Sequence, residues 1–173
     1  MQELWDRILR AAKLEPELYE EVEGDAGATS QATLVVVASA LAAGIGNVFT
    51  AGVLGLIVFA LFALIAWYVW AFLIYLIGTR LLPEYKTEAD HGQLLRTLGF
   101  AAAPGMIRIL GIIPGIGPLV SVLAGIWMLI ATVIAVRQAL DYTSTLRAIA
   151  VCIIGWIAYA VIAFLPRLIF RMG

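Results

Sequence analysis

Residues 26–79 read AGATSQATLVVVASALAAGIGNVFTAGVLGLIVFALFALIAWYVWAFLIYLIGT, a run of 54 residues (26 to 79 inclusive) without Asp, Glu, Lys, Arg or His. As one continuous helix, with a rise of about 1.5 Å per residue, this run would be roughly 80 Å long. No soluble core can bury a helix of that length. A bilayer core about 30 Å thick needs only about 20 residues for each crossing. The run therefore predicts two membrane spans joined by a short turn.

The composition of the whole chain agrees with a membrane protein. Of its 173 residues, 63% are hydrophobic and 13% are charged, with a mean hydropathy of +1.00, whereas soluble domains have about 45–50% and about 25%. The net charge of −1, without a basic cluster, argues against a nucleic-acid partner, because such binding relies on Lys and Arg. A single cysteine, Cys152, allows no intramolecular disulfide.

Three further apolar segments complete an all-α membrane protein, a five-transmembrane-helix bundle. The third segment is interrupted by Gly99 and Pro104, and proline removes a backbone hydrogen bond. We therefore expect this span to be kinked at Pro104 and either to cross fully or to re-enter the same face. The expected membrane domain covers residues 29–166, with spans at about 31–47, 53–78, 93–113, 118–138 and 146–165, a first external loop at 48–52 and an external tail at 167–173.

Capping residues predict where some of these helices begin and end. Thr29 or Ser30 can cap the first span and Ser144 the fifth, because a hydroxyl oxygen accepts hydrogen bonds from the free amides of a first turn. Pro166 is expected to close the fifth span, because proline is unfavourable inside a helix.

Residues 1–28 predict two short helices on the cytoplasmic side. Gln2–Leu14 is amphipathic and contains Trp5, which suits the bilayer interface, a groove on a partner, or the ends of the chain's own spans. Pro16 opens a second helix that ends near Gly24. Its acidic rim is either solvated or faces a basic partner, and consists of Glu17, Glu20, Glu21 and Glu23. Because the charged residues leave no unbroken apolar region, this segment is not a signal peptide.

Catalytic and metal-binding patterns are not evident in the sequence. The polar loop 82–92 holds three acidic residues and His91, but their spacing fits no recognised metal site, and we expect His91 to be solvated. Cys152 has no base near it in sequence, as nucleophilic catalysis would require. Tyr68, Phe72 and Tyr75 recur at helical spacing, which indicates packing and not a cofactor site. We therefore expect no enzyme activity, no metal and no cofactor.

The distribution of basic residues predicts the orientation. With the N-terminus inside, eight Lys and Arg residues are cytoplasmic and three are external, and basic residues favour the cytoplasmic side. We expect a multi-pass protein of the cell (inner) membrane with a cytoplasmic N-terminus and an external C-terminus. The inside residues are Arg7, Arg10, Lys13, Arg80, Lys86, Arg96, Arg137 and Arg147, and the outside residues are Arg108, Arg167 and Arg171.

Seven residues are candidates for intramembrane or interface roles. Arg96 and Arg108 flank the broken third span and are expected to extend towards opposite interfaces. Arg137 and Asp141 lie one helical turn apart and can pair. The complete set is Trp5, Arg96, Pro104, Arg108, Arg137, Asp141 and Arg147.

Two functions fit these features. The first is a non-catalytic scaffold or accessory subunit that associates with membrane lipids, with a second copy, or with another membrane protein. Small residues at four-residue spacing, such as Ala40 and Gly44, or Ala42 and Gly46, would let helices approach closely. The alternative is a small transporter, channel or lipid-translocating protein, because discontinuous helices often form transport sites.

In the order of several short motifs, the sequence resembles a prokaryotic member of the Yip1 domain family. The motifs run from Gly92-Gln93-Leu94-Leu95-Arg96 through Gly99-Phe100-Ala101, Pro104 and Ile113-Pro114-Gly115-Ile116-Gly117 to Trp127, Ala135-Val136-Arg137-Gln138-Ala139 and Arg147-Ala148.

The resemblance covers roughly residues 14–164 and implies five spans and a role in association. Eukaryotic relatives act in the early secretory pathway with prenylated Rab GTPases and with one another. They have a long cytosolic N-terminal region and an Asp-Leu-Tyr-Gly-Pro-like motif, where this sequence offers only Glu17-Leu18-Tyr19-Glu20. This difference argues against Rab-type GTPase binding.

Overall fold

The computed structural model describes the backbone at residues 2–46 and 48–171 and the side chains at 2–46 and 55–162, and all regular structure in these residues is helical. Five segments are long and apolar enough to cross a membrane: Ala28–Gly46, Gly55–Leu81, His91–Ile112, Gly117–Ala139 and Thr145–Ile162. The prediction of an all-helical fold with five candidate spans is confirmed. The helices are α1 (Gln2–Ala12), α2 (Pro16–Gly24), α3 (Ala28–Gly46), α4 (Val48–Leu76), α5 (His91–Phe100), α6 (Gly117–Ala139) and α7 (Thr145–Arg171).

Two irregular helices extend this set. A π-helical turn at Ile77–Leu81 continues α4. A 3₁₀ helix at Ala103–Ile112 follows α5, and the two together form the third span. The 3₁₀ helix is unusually long, because such helices rarely exceed three or four residues.

Several helix ends differ from those predicted. The first span begins at Ala28, so the prediction that Thr29 or Ser30 caps it is wrong; the Asp25 carboxylate instead accepts a hydrogen bond from the Gly27 amide (2.9 Å). α4 begins at Val48, inside the predicted external loop.

The last span agrees with prediction at its start and extends further at its end. The Ser144 hydroxyl accepts a hydrogen bond from the Arg147 amide (3.4 Å) just before α7, as a capping residue does. The backbone of α7 continues to Arg171, beyond Pro166. A proline is tolerated inside a membrane helix when neighbouring groups satisfy the freed carbonyl.

The third span begins with a capping box. The Asp90 side chain accepts from the Gln93 amide (2.9 Å), and the Gln93 side chain accepts from the Asp90 amide (2.6 Å). The α-helix then ends at Phe100, four residues before Pro104. Pro104 lies in the first turn of the 3₁₀ helix, where its missing N–H needs no partner.

The third span runs parallel to α3 from Gly99 to Gly111. Gly99 faces Ala32, Gly105 faces Ser39, and Arg108 faces Gly46, so the contacts advance in the same direction on both elements. At about 1.5 Å per α-helical and 2.0 Å per 3₁₀ residue, the two parts extend roughly 35 Å. This geometry favours a full crossing and not a re-entrant hairpin.

Glycines allow the closest helix contacts. A Cβ atom on Gly46 would overlap the backbone carbonyl of Arg108, and one on Gly44 would lie 2.5 Å from the Leu56 side chain. Both glycines belong to the small-residue pairs expected at helix interfaces. Close backbone approach of this kind stabilises helix pairs in lipid.

The first two helices pack against the membrane domain. Leu18, Tyr19 and Val22 of α2 are buried in the same hydrophobic cluster as residues of α3, α5 and α6. α1 buries Ala11 and the charged Arg7. We call Gln2–Gly24 the N-terminal platform.

Candidate functional site

Arg7 joins three helices at the start of the chain. Its side chain is only 6% exposed. The guanidinium pairs with the carboxylates of Glu3 (3.1 Å), Glu21 (2.9 Å) and Asp25 (3.0 Å), and Nη1 also donates to the side-chain oxygen of Gln31 (3.0 Å). A buried cation is tolerated only when its donors are satisfied in this way. Arg7 therefore fixes α1 against α2 and the first turns of α3.

Arg10 reinforces the same connection. Its Nη1 pairs with Glu21 (2.6 Å) and its Nε with Glu15 (3.2 Å). The guanidinium of Arg10, and then that of Arg7, lowers the pKa of Glu21 below its usual range. Both basic residues of α1 are thus paired with acidic residues of the platform itself.

Arg96 of the third span holds the end of α2. Its Nε donates to the carbonyl oxygens of Val22 (2.9 Å) and Glu23 (3.1 Å), and its Nη2 also donates to Glu23. The last carbonyls of a helix lack partners within it and favour a nearby positive charge. Arg96 is 9% exposed, because its side chain extends to the N-terminal platform and the carbonyls of α2 take its donors.

Two hydrogen bonds join the platform to α6. The indole Nε1 of Trp127 donates to the carbonyl oxygen of Ala12 (2.8 Å), and Nε2 of Gln138 donates to Glu20 (2.7 Å). The platform therefore contacts elements that lie more than 100 residues away in sequence.

Arg147 and the loop before α5 lie at the same end of the molecule. Arg147 donates from Nη1 to the Pro83 carbonyl oxygen (2.8 Å), and its Nε lies 3.5 Å from Glu84. Glu84 accepts hydrogen bonds from the amide (2.9 Å) and the hydroxyl (2.8 Å) of Thr143, and these bonds lower the pKa of Glu84. Arg147 thus serves to hold two loops together.

The predicted pair of Arg137 and Asp141 is wrong. α6 ends at Ala139, and Asp141 has a left-handed backbone (φ 51°), so the two side chains are not on consecutive turns of one helix. Arg137 instead donates to the Tyr142 carbonyl oxygen (3.2 Å). The Tyr142 hydroxyl in turn donates to the carbonyl oxygen of Leu82 (2.7 Å), and burial raises the pKa of Tyr142 to about 12.

His91 is enclosed by aromatic side chains, so the expectation that it is solvated is wrong. Its ring lies 4.7 Å from that of Tyr68, 5.8 Å from Phe72 and 6.4 Å from Tyr75, measured between ring centroids. Within the described residues, neither ring nitrogen of His91 has a hydrogen-bond partner. The aromatic stripe of α4 therefore packs around the start of α5. No group of three or more His, Cys, Asp or Glu residues in the described part of the chain could hold a metal ion.

A cavity of about 500 Å³ lies among the membrane-spanning helices. Its lining is mainly apolar, and Arg108 provides the one charged side chain on it among the residues that the structure describes. Arg108 is half-buried and, within that described part, its side chain makes no hydrogen bond or ion pair. The other predicted site residues lie elsewhere: Trp5 is on the outer face of α1, 61% exposed, and Pro104 is buried in the 3₁₀ helix.

We expect the docking of α2 to weaken as Glu23 ionises. Burial, and then the carboxylates of Asp141 and Glu20, raise the pKa of Glu23 from 4.5 to about 7, against the opposing charge of Arg96. A raised carboxyl pKa contributes stability that is complete below the unfolded value and is lost as pH rises through the folded value.

Melting curves between about pH 5 and pH 8 should therefore show Glu23→Gln gaining stability relative to the native protein as pH rises. We expect a gain of about 1–2 kcal/mol, since partial exposure reduces the full effect. The exposed Glu17→Gln provides the control. A pH-independent difference between Glu23→Gln and the native protein would contradict the expectation.

The comparisons with known proteins identify a family. No curated protein and no solved structure matches this chain. The sequence model of the Yip1 domain matches residues 17–165, which include α2 after its first residue, the broken third span, and the residues Arg96, Trp127 and Gln138 that hold the platform. Because this match extends over most of the sequence, the chain belongs to the Yip1 domain family of membrane proteins.

Proposed function

We propose that this protein is a non-catalytic scaffold or accessory subunit, and that its N-terminal platform is the surface to which another membrane protein binds. The observation that carries the proposal is the fixed position of the platform. Buried Arg7 and Arg96 attach it to the membrane domain, which leaves its outer side chains in a constant arrangement. A preorganised surface binds without the entropic cost of ordering itself.

The outer face of the platform has two parts. Trp5 and Leu9 of α1 are exposed apolar side chains. Glu17 and Glu20 of α2 are exposed carboxylates. A partner segment with basic residues beside apolar ones would complement both parts, since complementary charge fixes the register of an interface.

We also infer that the platform faces the cytoplasm of a cell (inner) membrane. The loops at 82–90 and 140–144 lie at the platform's end of the molecule, as the bonds of Arg147 and Gln138 indicate. These are the parts that an inside N-terminus would place with most of the Lys and Arg residues, in agreement with the positive-inside rule.

Extraction directly into polymer-bounded native lipid discs, followed by mass measurement of single particles, tests the proposal. We expect the native protein to remain with a partner or a second copy. The variant Glu17→Lys, which leaves the bond between Glu20 and Gln138 intact, should lose at least about tenfold of this association, since opposed like charges cost several kcal/mol. Glu88→Lys, an exposed acid in a loop, is the matched control. A native protein found only as a monomer would contradict the proposal.

The cavity beside Arg108 supports the second candidate, a small transporter, channel or lipid-translocating protein. The same preparations, reconstituted in liposomes, distinguish the two functions. Solute flux or lipid scrambling that disappears in Arg108→Ala would favour transport over association. Absence of flux, or flux that is indifferent to this change, would remove the second candidate.

A further inference from the structure

We propose that the cavity among the spans binds one anionic phospholipid, with an acyl chain in the cavity and the phosphate at Arg108. The inference does not depend on the proposed function, because a resident lipid is compatible with a scaffold and with a transporter. It follows from the shape of the cavity, from the direction in which it opens, and from the unpaired charge on its wall.

The cavity has the size and lining of a ligand site. Its volume of about 500 Å³ falls within the range of about 300–1,000 Å³ that is typical of such sites. Val36, Leu98 and Ala101 form a buried floor, and the side chains around them are mostly apolar. An alkyl chain would fill this space without leaving a polar group unsatisfied.

The cavity opens towards lipid. Leu129, Trp156 and Tyr159 belong both to its lining and to the exposed surface of α6 and α7. Exposed apolar surface on a membrane-spanning helix faces hydrocarbon. A second cavity of about 490 Å³ shares Ala63, Ala66 and Tyr159 with the first and continues along α4 and α7. The opening can therefore admit a chain from the bilayer and has room beside it for a second chain.

Arg108 offers its charge to an anion. A half-buried guanidinium beside an apolar cavity is costly unless it is paired or wetted, and the Arg108 side chain has no acidic partner among the described residues that line the cavity. A phosphate group accepts two parallel hydrogen bonds from one guanidinium, which makes this pair one of the stronger interactions.

The headgroup should have a net negative charge. No carboxylate is present among the described residues that line the cavity, so the ammonium of a zwitterionic lipid would have no counterion there. Phosphatidylglycerol has this charge, whereas phosphatidylcholine with the same chains does not. The two lipids differ only in the headgroup and form a matched pair of probes.

Native mass spectrometry of the intact protein, released from micelles with either lipid, tests the site. The native protein should retain one phosphatidylglycerol and much less phosphatidylcholine. Arg108→Gln should lower phosphatidylglycerol retention by about tenfold or more, since it removes a charged hydrogen-bonding group. Arg80→Gln removes an exposed arginine and should have no effect.

A second variant tests the cavity itself. A Cβ atom on Gly125 would meet nothing within 4 Å, and Gly125 lines the cavity, so Gly125→Phe introduces a bulky side chain at its wall. We expect it to abolish retention of both lipids. Val122→Phe, on the exposed face of the same helix, is the control. Melting curves without added lipid show that each variant is folded.

Three results would overturn the proposal. The first is equal retention of the two lipids by the native protein. The second is unchanged retention of phosphatidylglycerol in Arg108→Gln or in Gly125→Phe. The third is displacement of the lipid by millimolar glycerol phosphate, which would show that the site binds a free phosphate and not a lipid.

Discussion

Replacement of Arg96 by alanine should release the N-terminal platform from the membrane domain. The change leaves the carbonyl groups of Val22 and Glu23 without their donors and opens space beneath α2. Hydrogen bonds to charged groups contribute about 1.5–3 kcal/mol, and a buried acceptor left unsatisfied costs about 1–3 kcal/mol. We expect a loss of about 3 kcal/mol in the stability of the docked platform.

Limited trypsin digestion at the exposed Lys13 measures this release, because cleavage requires the platform to open. Arg96→Ala should be cleaved about a hundredfold faster, in proportion to the open population. Arg96→Lys retains the charge but lacks the planar donor group, so it should lie in between. Arg137→Ala, an exposed arginine at the same end, is the control. If Arg96→Ala and the native protein are cleaved at equal rates, the apolar face of α2 is enough to hold the platform against the membrane domain, and the expectation is contradicted.

The second large effect is expected from Gly46→Ala. The new Cβ atom would overlap the carbonyl oxygen of Arg108 and would also lie 3.5 Å from the Cα atom of Gly111. These neighbours are backbone atoms, which cannot rotate aside as a side chain could. α3 and the third span would have to separate, at a cost of about 1–3 kcal/mol.

Gly125→Ala is the matched comparison for Gly46→Ala. Both positions are helical, but a Cβ atom on Gly125 meets open space. That change should be neutral or should stabilise the helix by about 0.5–1 kcal/mol, because glycine is the poorer helix former. Thermal unfolding in the same detergent compares the two variants. Equal melting temperatures would contradict the close contact between α3 and the third span.

The membrane domain could be predicted because it depends on composition over long segments. Hydrocarbon excludes charged side chains, so an uncharged run of sufficient length indicates a span, and the helices packed against it need not be known. The start of α2 at Pro16 could also be predicted, since it depends on the fixed φ of a single residue and not on distant contacts. The capping box of Asp90 and Gln93 has a local signal too, an acidic residue followed three residues later by Gln.

The contacts of the candidate site residues could not be predicted, because each depends on residues distant in sequence. Arg96 binds carbonyl groups 73 and 74 residues before it. His91 appeared to be part of a polar loop, and only the packing of α4 around α5 shows that its ring is enclosed. For Arg137 and Asp141 the prediction assumed that the helix continues past Ala139. The helix in fact ends there, and Asp141 has a left-handed backbone conformation.

The bonds from Trp127 and Gln138 to the first two helices set an order of events during synthesis. The ribosome makes Ala12 and Glu20 more than a hundred residues before their partners, 115 and 118 positions later. At about 5–20 residues per second, the nascent amino end waits several seconds or longer for the fourth span. A ligand that recognises the finished surface therefore meets it only on chains whose fourth span has already been made.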